Sequence, residues 1–466
     1  MRARSRDRLV YLAAHPFLFT VLAATRHRPT VRLGGTLLVH DRQAYVHALT
    51  RLTLDRTAEG TTGGAVTALT SGAALFDQQG QSHRTSRRTS ADPLSAPGVE
   101  AMRPTWTNLM ARALSPLAEG AELDLVPLAA EIAGITALAI LAATSPGPAP
   151  VSSSSAPTTN HLPARPLCPA APTEGPPSHS ASAQEPSAER HRTTAERHND
   201  TGPRASGAAV GAGGTRDSRG PTTDRAGRDL RAGPADDARR LAEAARAAAA
   251  ATAREHLPGL FRRRARDEAR LAAARLTALV APDGGEHAGL HAMLAVAAIN
   301  TTVAALPRAA AWSADDRLWD AARRDPAALA DELLRVIAPT PLLPRAAAGD
   351  GELPPGGPVH AGDRLMLIAR HAAGAHRSGP DPARPAPPQV ARLVFGVGPH
   401  ACPGARLARI QLADWLAALA PYRPVVTRAR PDRRSALPGW RSLTVRAGDT
   451  DSAAERRAGS GRRGEA

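Results

Sequence analysis

The chain has 466 residues and a net charge of +16 at pH 7, and all its basic residues apart from histidine are arginines. Two cysteines exclude a disulfide framework and a cysteine-rich zinc or iron–sulfur site, and they fit a reducing, cytoplasmic setting. The positive charge alone would suggest a transcription factor. However, the charge is scattered along the chain and aromatic residues make up only 3% of it, which disfavours nucleic-acid binding. An acidic protein partner fits the charge better.

The N-terminal apolar run, residues 9–24, is interrupted by His15 and Pro16 and is shorter than the about twenty residues that span a membrane. It predicts a helix that starts near Pro16, and neither a signal peptide nor a membrane segment. The patterns that follow predict a hairpin with a Gly-Gly turn at 31–40, a helix over 42–50 and a loop over 55–73.

Two basic side chains, His83 and Arg87, stand four residues apart after Gly80. This spacing places them on one helix face, where two cations can hold a pair of carboxylates. The alternative is a solvated basic helix. Further along, residues 123–143 are apolar at helical spacing and predict a buried helix.

The composition changes between residues 145 and 235. Proline, serine, glycine, threonine and arginine dominate, and aromatic residues are absent. Such a segment buries too little apolar surface to offset the entropy of ordering it, which predicts a disordered insertion. Cys168 lies within it and is expected to be inert.

Helical patterns resume at Asp236 and predict helices over 236–256, 261–280 and 286–311. The third is long and apolar, yet it contains Asn300, Thr301 and Thr302. Polar side chains in a buried helix cost free energy unless they find partners. Either they act on a ligand, or the threonine hydroxyls bond to the preceding helical turn.

The next helix, 326–337, carries Glu332 and Arg335 three residues apart, which suits a charged pair. Most pairs of this kind are surface salt bridges, and that alternative stays open. Arg345 follows in a short apolar segment, and residues 358–367 predict a turn and a strand.

One stretch has the residues needed to present a thiolate to a metal. Glycines that can adopt positive φ precede a cysteine, and a helical run follows it. A thiolate beside a helix N-terminus has a lowered pKa. The alternative, a cysteine acting as a small buried hydrophobe, explains neither the glycines nor the aromatic residue seven positions earlier. The residues are Phe395, Gly396, Gly398, His400, Cys402 and Gly404.

These residues fill every defined position of Phe-Gly-x-Gly-x-His-x-Cys-x-Gly, and the stretch resembles the haem-binding loop of the cytochrome P-450 family, in particular its soluble bacterial, actinobacterial-type members. The resemblance implies one large, mainly α-helical domain with a small β region. The domain would comprise residues 1–144 and 236–447, separated by the low-complexity insertion at 145–235. A disordered tail would follow at 448–466.

The resemblance also implies roles for individual residues. Cys402 would be the axial ligand of a haem b (iron protoporphyrin IX), with Phe395, Gly396 and His400 beside it. His83, Arg87 and Arg345 would bind the haem propionates. Thr301 would relay protons with Asn300, which replaces the family's usual acid. Glu332 and Arg335, with Arg384 as a third member, would lock the cysteine loop.

The implied activity is that of a monooxygenase that uses O2 to hydroxylate or epoxidise a small organic substrate, for instance in specialised metabolism. No flavin, nicotinamide or iron–sulfur motif is present, so electrons would come from a separate ferredoxin and its reductase. The Asn300 replacement leaves a haem-thiolate peroxygenase or isomerase as an alternative. The segment expected to supply the substrate lid falls in the insertion. A non-catalytic haem-binding protein is therefore a further alternative.

Overall fold

The computed structural model describes residues 2–55, 57–61, 63–64, 91–144, 233–255, 262–282, 284–285 and 287–448. These residues belong to one compact unit. The predicted insertion, except for its last three residues, and the predicted tail, except for its first residue, lie outside them. The proposed domain boundaries therefore stay predictions.

The described chain is mainly helical, which confirms the predicted fold class. The helices are α1 (Ala3–Ala14), α2 (Pro16–Thr25), α3 (Arg42–Thr50), α4 (Ala91–Leu94), α5 (Ala96–Leu114), α6 (Leu125–Thr144), α7 (Pro234–Glu255), α8 (Arg262–Val280), α9 (Ala288–Asp315), α10 (Trp319–Arg324), α11 (Pro326–Ile337), α12 (Ala369–Ala372), α13 (Pro388–Ala391) and α14 (Ala405–Leu419). Helix α3 has the predicted bounds because Asp41 caps it, accepting hydrogen bonds from the N–H groups of Gln43 and Ala44.

The strands are β1 (Thr30–Leu33), β2 (Thr36–Val39), β3 (Leu54–Asp55), β4 (Leu123–Asp124), β5 (Leu343–Ala347), β6 (Gly351–Leu353), β7 (Gly357–Val359), β8 (Arg364–Leu367), β9 (Val425–Pro431) and β10 (Trp440–Arg446). One sheet has the order β1-β2-β8-β5-β3, a second has β4-β10-β9, and β6 pairs with β7. The predicted hairpin is present as β1 and β2, with Gly34 at a φ of +57° in its turn.

The core is built around α6 and α9, which pack against each other and against α7. Both are long and apolar enough to cross a membrane by length and composition, and 61% and 67% of their apolar windows are buried inside the protein. A helix that is apolar on all sides can also be the core helix of a globular domain. Gly134 allows the close approach of α7, since a Cβ there would lie 2.2 Å from the carbonyl oxygen of Ala238.

The N-terminal helix α1 is anchored to α9 by a buried ion pair. Asp7 accepts hydrogen bonds from Nε and Nη2 of Arg308 at 2.9 and 2.7 Å. The Tyr11 ring lies between two guanidinium groups, those of Arg308 and Arg370, each 4.6 Å from the ring centroid. The Tyr11 hydroxyl donates to the carbonyl of Ile337 at the end of α11. Residues that are hundreds of positions apart thus form one polar cluster.

A buried histidine pair joins the end of β2 to α12. Nδ1 of His40 lies 2.7 Å from Nδ1 of His371, and Nε2 of His40 lies 3.0 Å from Oγ1 of Thr25. The Thr25 hydroxyl donates to the carbonyl of Val21, so its oxygen must accept from His40 Nε2. A neutral His40 then accepts at Nδ1 from the N–H of His371. Burial lowers the pKa of His40 to about 4, and burial with the charges of His40, His376 and nearby arginines lowers that of His371 to about 2.

This pair predicts acid sensitivity. In the unfolded chain the histidines titrate near pH 6.5, whereas the folded protein holds them neutral to lower pH. The free energy of unfolding should therefore be highest above pH 6.5. It should fall towards pH 4 by about 1.4 kcal/mol per pH unit for each proton that only the unfolded chain binds.

Urea unfolding at pH 7, 6, 5 and 4 measures this slope. His371→Gln should flatten it, whereas His360→Gln, at an exposed position, should leave it unchanged. Equal slopes in the His371→Gln variant and the unmodified protein would contradict the assignment.

Candidate active site

The cysteine loop is formed by short, tight elements between α13 and α14. A 3-10 turn over Arg392–Phe395 leads to Gly396, which has a φ of +72°, and a second 3-10 turn covers Gly398–His400. The N–H of Cys402 donates to the carbonyl of Phe395 at 2.8 Å and closes the loop. The positive φ at Gly396 is the left-handed conformation that glycine adopts without strain, as predicted from the sequence.

Cys402 is an exposed cysteine three residues before the first residue of α14. A thiolate in this position lies near the N-terminal N–H groups of the helix, whose partial positive charge stabilises it. A Cβ at position 404 would lie 3.8 Å from the sulfur, so Gly404 adjoins the thiol directly. Phe395 and His400 are half-buried, and Phe395 packs against the main core.

Tyr45 connects α3 to this loop. Its ring is fully buried, and its hydroxyl donates to the carbonyl of Leu393 at 3.0 Å. Burial raises the pKa of Tyr45, and the positive charge of Arg345 partly opposes that rise. No local pattern marks a tyrosine in an amphipathic helix as a support for a loop about 350 residues away.

Arg345 lies on β5. Its Nη1 donates to the carbonyl of Pro344 at 2.8 Å. Burial lowers the pKa of Arg345, with the Tyr45 hydroxyl acting in the opposite direction. A lowered pKa means that the buried guanidinium is destabilised as a cation, so an incoming carboxylate would be favoured beside it.

The polar residues of α9 have partners within the helix layer. Asn300 is buried, and its Nδ2 donates to the carbonyl of Val296 at 2.9 Å and to that of Ala245 on α7 at 3.4 Å. The Thr301 hydroxyl donates to the carbonyl of Ala297 at 2.8 Å. The alternative in which a threonine hydroxyl bonds to the preceding helical turn is therefore observed for Thr301. The Thr301 oxygen can still accept a further hydrogen bond.

A second polar link holds α14 beneath α9. Oε1 of Gln411 accepts from the Thr302 hydroxyl at 3.4 Å, and Nε2 of Gln411 donates to Thr136 on α6 at 2.9 Å. The Thr136 hydroxyl donates in turn to the carbonyl of Ile132. No sequence pattern indicates this role of Gln411, because its partners lie on two distant helices.

Glu332 and Arg335 form a buried bidentate ion pair, with side chains 1% and 4% exposed. Arg335 Nη2 lies 2.7 Å from Oε2 of Glu332, and Nε lies 3.1 Å from Oε1. Burial alone would raise the pKa of Glu332, but hydrogen bonds from Arg335 and from two backbone N–H groups outweigh it and lower that pKa. The surface salt bridge that was the alternative is therefore excluded.

The backbone after α12 wraps around this pair. The N–H groups of Asp381 and Ala386 donate to Glu332 at 3.0 and 2.9 Å, and Arg335 donates to the carbonyls of Ala373 and Gly379. The pair thus serves as a fixed point for the segment that leads into the cysteine loop.

The prediction for Arg384 as the third member of this lock was wrong. Its side chain is 89% exposed, and its Nε lies 3.4 Å from Oδ2 of Asp381. The backbone of residues 381 and 386 occupies the acceptor positions of Glu332 that an arginine would have used. His83 and Arg87 lie outside the described residues, and their proposed role stays a prediction.

No protein-family model matches the chain, and no curated protein matches its sequence. Solved structures do match, over nearly the whole chain. CYP175A1 from Thermus thermophilus has a TM-score of 0.61 at 16% identity, covering 94% of this chain and 96% of that one.

Two further structures are similar. P450BioI, in complex with an acyl carrier protein ligated to hexadec-9Z-enoic acid, has a TM-score of 0.60 at 16% identity, covering 94% and 100% of the two chains. CYP108D1 from Novosphingobium aromaticivorans has a TM-score of 0.54 at 19% identity, covering 95% and 98%. Agreement over such lengths at such low identity is agreement of backbone architecture.

Proposed function

Because this chain has the cytochrome P450 fold, we propose that it binds haem b through Cys402 and acts as a haem-thiolate monooxygenase on a small organic substrate. The observation that carries the proposal is the cysteine loop, in which Cys402 follows a positive-φ glycine turn and precedes α14. This loop occurs within the fold whose relatives are named P450s. We further propose a cytoplasmic enzyme of specialised metabolism.

The residues present fit a haem. Cys402 offers an exposed thiol whose thiolate is stabilised by a helix N-terminus. Arg345 offers a buried cation that gains from a propionate, and Phe395, Gly396 and His400 would adjoin the ring. His83 and Arg87 would hold propionate groups as well. When bound, the haem supplies the reduction of O2 and the transfer of one oxygen atom to the substrate.

In the proposed mechanism, Cys402 would hold the haem iron through its thiolate, the kind of ligand that favours O–O cleavage in haem proteins. Thr301 holds a proton at Oγ1, which points at rest to the carbonyl of Ala297. Rotation about χ1 would release this hydroxyl to donate elsewhere. Asn300, whose Nδ2 is used by the carbonyls of Val296 and Ala245, retains Oδ1 to orient a water molecule.

Thr301→Val should lower the rate of product formation about 100-fold, within the range of general acid–base effects. The valine keeps the shape of the side chain but has no hydroxyl. The substrate for this assay is a compound that changes the spin state of the ferric protein. The measurements are the rate of product formation and the product formed per NAD(P)H consumed. Thr301→Ser is the matched control and should retain most of the coupling. An unchanged ratio in the valine variant would show that Thr301 plays no part in proton delivery.

We propose that an acidic ferredoxin, reduced by its own reductase, docks beside the cysteine loop. Arg392 and Arg406 flank the loop, are exposed, and form no ion pair with the residues that the structure describes. Charges of opposite sign speed association, and salt weakens the effect. The double variant Arg392→Glu/Arg406→Glu should slow reduction by ferredoxin, most strongly at low ionic strength.

A second candidate is a haem-thiolate peroxygenase or isomerase, which needs no O2 cycle. The observation that favours it is Asn300, an amide that cannot exchange a proton near neutral pH as a carboxylate can. Asn300→Asp discriminates between the two: if NAD(P)H-driven turnover improves, the acid is limiting for an O2 cycle. If turnover with peroxide is high and NAD(P)H-driven turnover does not change, the result supports the peroxygenase or isomerase. A ferric spin state that responds to no compound in a broad library would favour a non-catalytic haem-binding protein.

The absorption spectrum of the reduced protein under carbon monoxide tests the central proposal. A strongly red-shifted Soret band is expected from a thiolate-ligated haem. Its absence from intact, haem-loaded protein would refute thiolate ligation and with it the proposed activity.

A further inference from the structure

A polar groove of about 690 Å³ lies between α3 and the segment 371–377. The two sides come from parts of the chain more than 300 residues apart. Arginine side chains from both sides line the groove, namely Arg42 and Arg51 from one and Arg377 from the other. Its volume falls in the range of pockets that take small ligands, about 300–1,000 Å³.

The charge of this groove is not balanced by the residues that the structure describes. Arg42, Arg51 and Arg377 are exposed and form no ion pair with any residue in the described part of the chain. Asp41 is the one carboxylate among the lining residues, and its Oδ1 already accepts from the N–H groups of Gln43 and Ala44 at 2.7 and 3.0 Å. Three cations thus face a shared space with one carboxylate, so the lining keeps an excess of positive charge.

Two of the guanidinium groups are oriented by hydrogen bonds through Nε. Arg42 Nε donates to the carbonyl of Ala372 at 3.0 Å, and Arg377 Nε donates to Nε2 of His376 at 3.3 Å. With Nε engaged, the terminal N–H groups are the donors that a ligand would use. A planar guanidinium presents such donors in the spacing of two oxygens of a phosphate or carboxylate.

The neutral histidines behind the groove do not add to its charge. His40 and His371 line it but are engaged with each other, and burial keeps both uncharged at neutral pH. The permanent positive charges that line the groove are therefore those of its arginines.

We propose that this groove binds a small multivalent oxyanion, such as a phosphoryl group or diphosphate of a small molecule. The proposal does not depend on the haem chemistry. The groove does adjoin the cysteine loop, because Thr50 lines it and a Cβ at Gly398 would lie 3.5 Å from Cγ2 of Thr50. Thr50 therefore lies between the groove and that loop.

Isothermal titration of the full chain with pyrophosphate, and separately with inorganic phosphate, tests the proposal at about 0.15 M NaCl, a physiological ionic strength. Saturable binding of one pyrophosphate per chain is expected, with inorganic phosphate weaker. Arg51→Gln and Arg377→Gln should each weaken binding about tenfold, as expected for the loss of about 1.4 kcal/mol. Both positions are exposed, so circular dichroism should show an unchanged fold.

Arg112→Gln is the matched control, because Arg112 on α5 is also exposed and also without an ion pair among the described residues. It should bind pyrophosphate as the unmodified protein does. Absence of saturable binding, or equal affinity in all three variants, would overturn the proposal.

The same variants separate a small-anion site from a protein-docking surface. If Arg51→Gln and Arg377→Gln slow reduction by ferredoxin while pyrophosphate does not bind, the groove contributes to partner docking and the small-anion site is refuted. If pyrophosphate binds and the variants weaken it, the site stands whatever the outcome for the proposed monooxygenase activity.

Discussion

Cys402→Ser is expected to remove the red-shifted carbon monoxide band and all substrate oxidation together. The thiolate is a strong, soft metal ligand, whereas a serine hydroxyl at neutral pH is a neutral oxygen donor. The electron donation that favours O–O cleavage disappears with the sulfur. The backbone bond from position 402 to the carbonyl of Phe395 does not involve the side chain, so the loop should keep its conformation. Difference spectra and a product assay on the same preparation measure both effects.

Cys168→Ser provides the matched control, because Cys168 is the other cysteine of the chain. It should leave the spectrum and the activity unchanged. If the Cys402→Ser protein kept its band and its activity, the axial ligand would be another residue, and the proposed function would lose its basis.

Glu332→Ala is expected to lower the free energy of unfolding by about 3–5 kcal/mol, the usual cost of leaving a buried charge without its partner. Arg335 would remain buried, with a side chain only 4% exposed in the unmodified protein. The N–H groups of Asp381 and Ala386 would also lose their acceptors. Because these residues lead into the cysteine loop, haem retention should fall as well. Urea unfolding and the ratio of haem to protein after purification measure the two losses.

Arg384→Ala serves as the control for this experiment, since both side chains were expected in the same lock. Its effect should stay within about 0.5 kcal/mol, as for most exposed substitutions. Glu332→Gln keeps the shape and one acceptor oxygen and should fall between the two. A large loss for Arg384→Ala, or a negligible one for Glu332→Ala, would contradict the observed arrangement.

Local features of the chain were predictable because they depend on neighbouring residues. The cysteine loop follows from glycines at fixed distances before Cys402, since positive φ is accessible to glycine without strain. The bounds of α3 agree with the predicted range 42–50, and α14 is the helix predicted to follow the cysteine. In α3 a capping aspartate determines the start, and in α14 the helical run begins directly after the glycine at the end of the loop.

Features that join distant parts of the chain were not predictable in this way. Arg384 has a suitable charge and a suitable place in the sequence, yet backbone N–H groups occupy the Glu332 oxygens. Tyr45 and Gln411 support the site through partners on elements far away in sequence. Their roles depend on which helix faces meet, and hydrophobic periodicity does not specify that.

The sequence by itself therefore determined the helical class of this protein, the bounds of several elements and the local shape of the loop around Cys402. Only the tertiary structure decided which side chains support that loop, which groups remain charged and where arginines converge in excess of carboxylates. The physical reason is the distance along the chain over which each effect acts, since backbone preferences and helix caps act over only a few residues. Burial, hydrogen-bond satisfaction and ion pairing depend on contacts that packing makes across the whole chain.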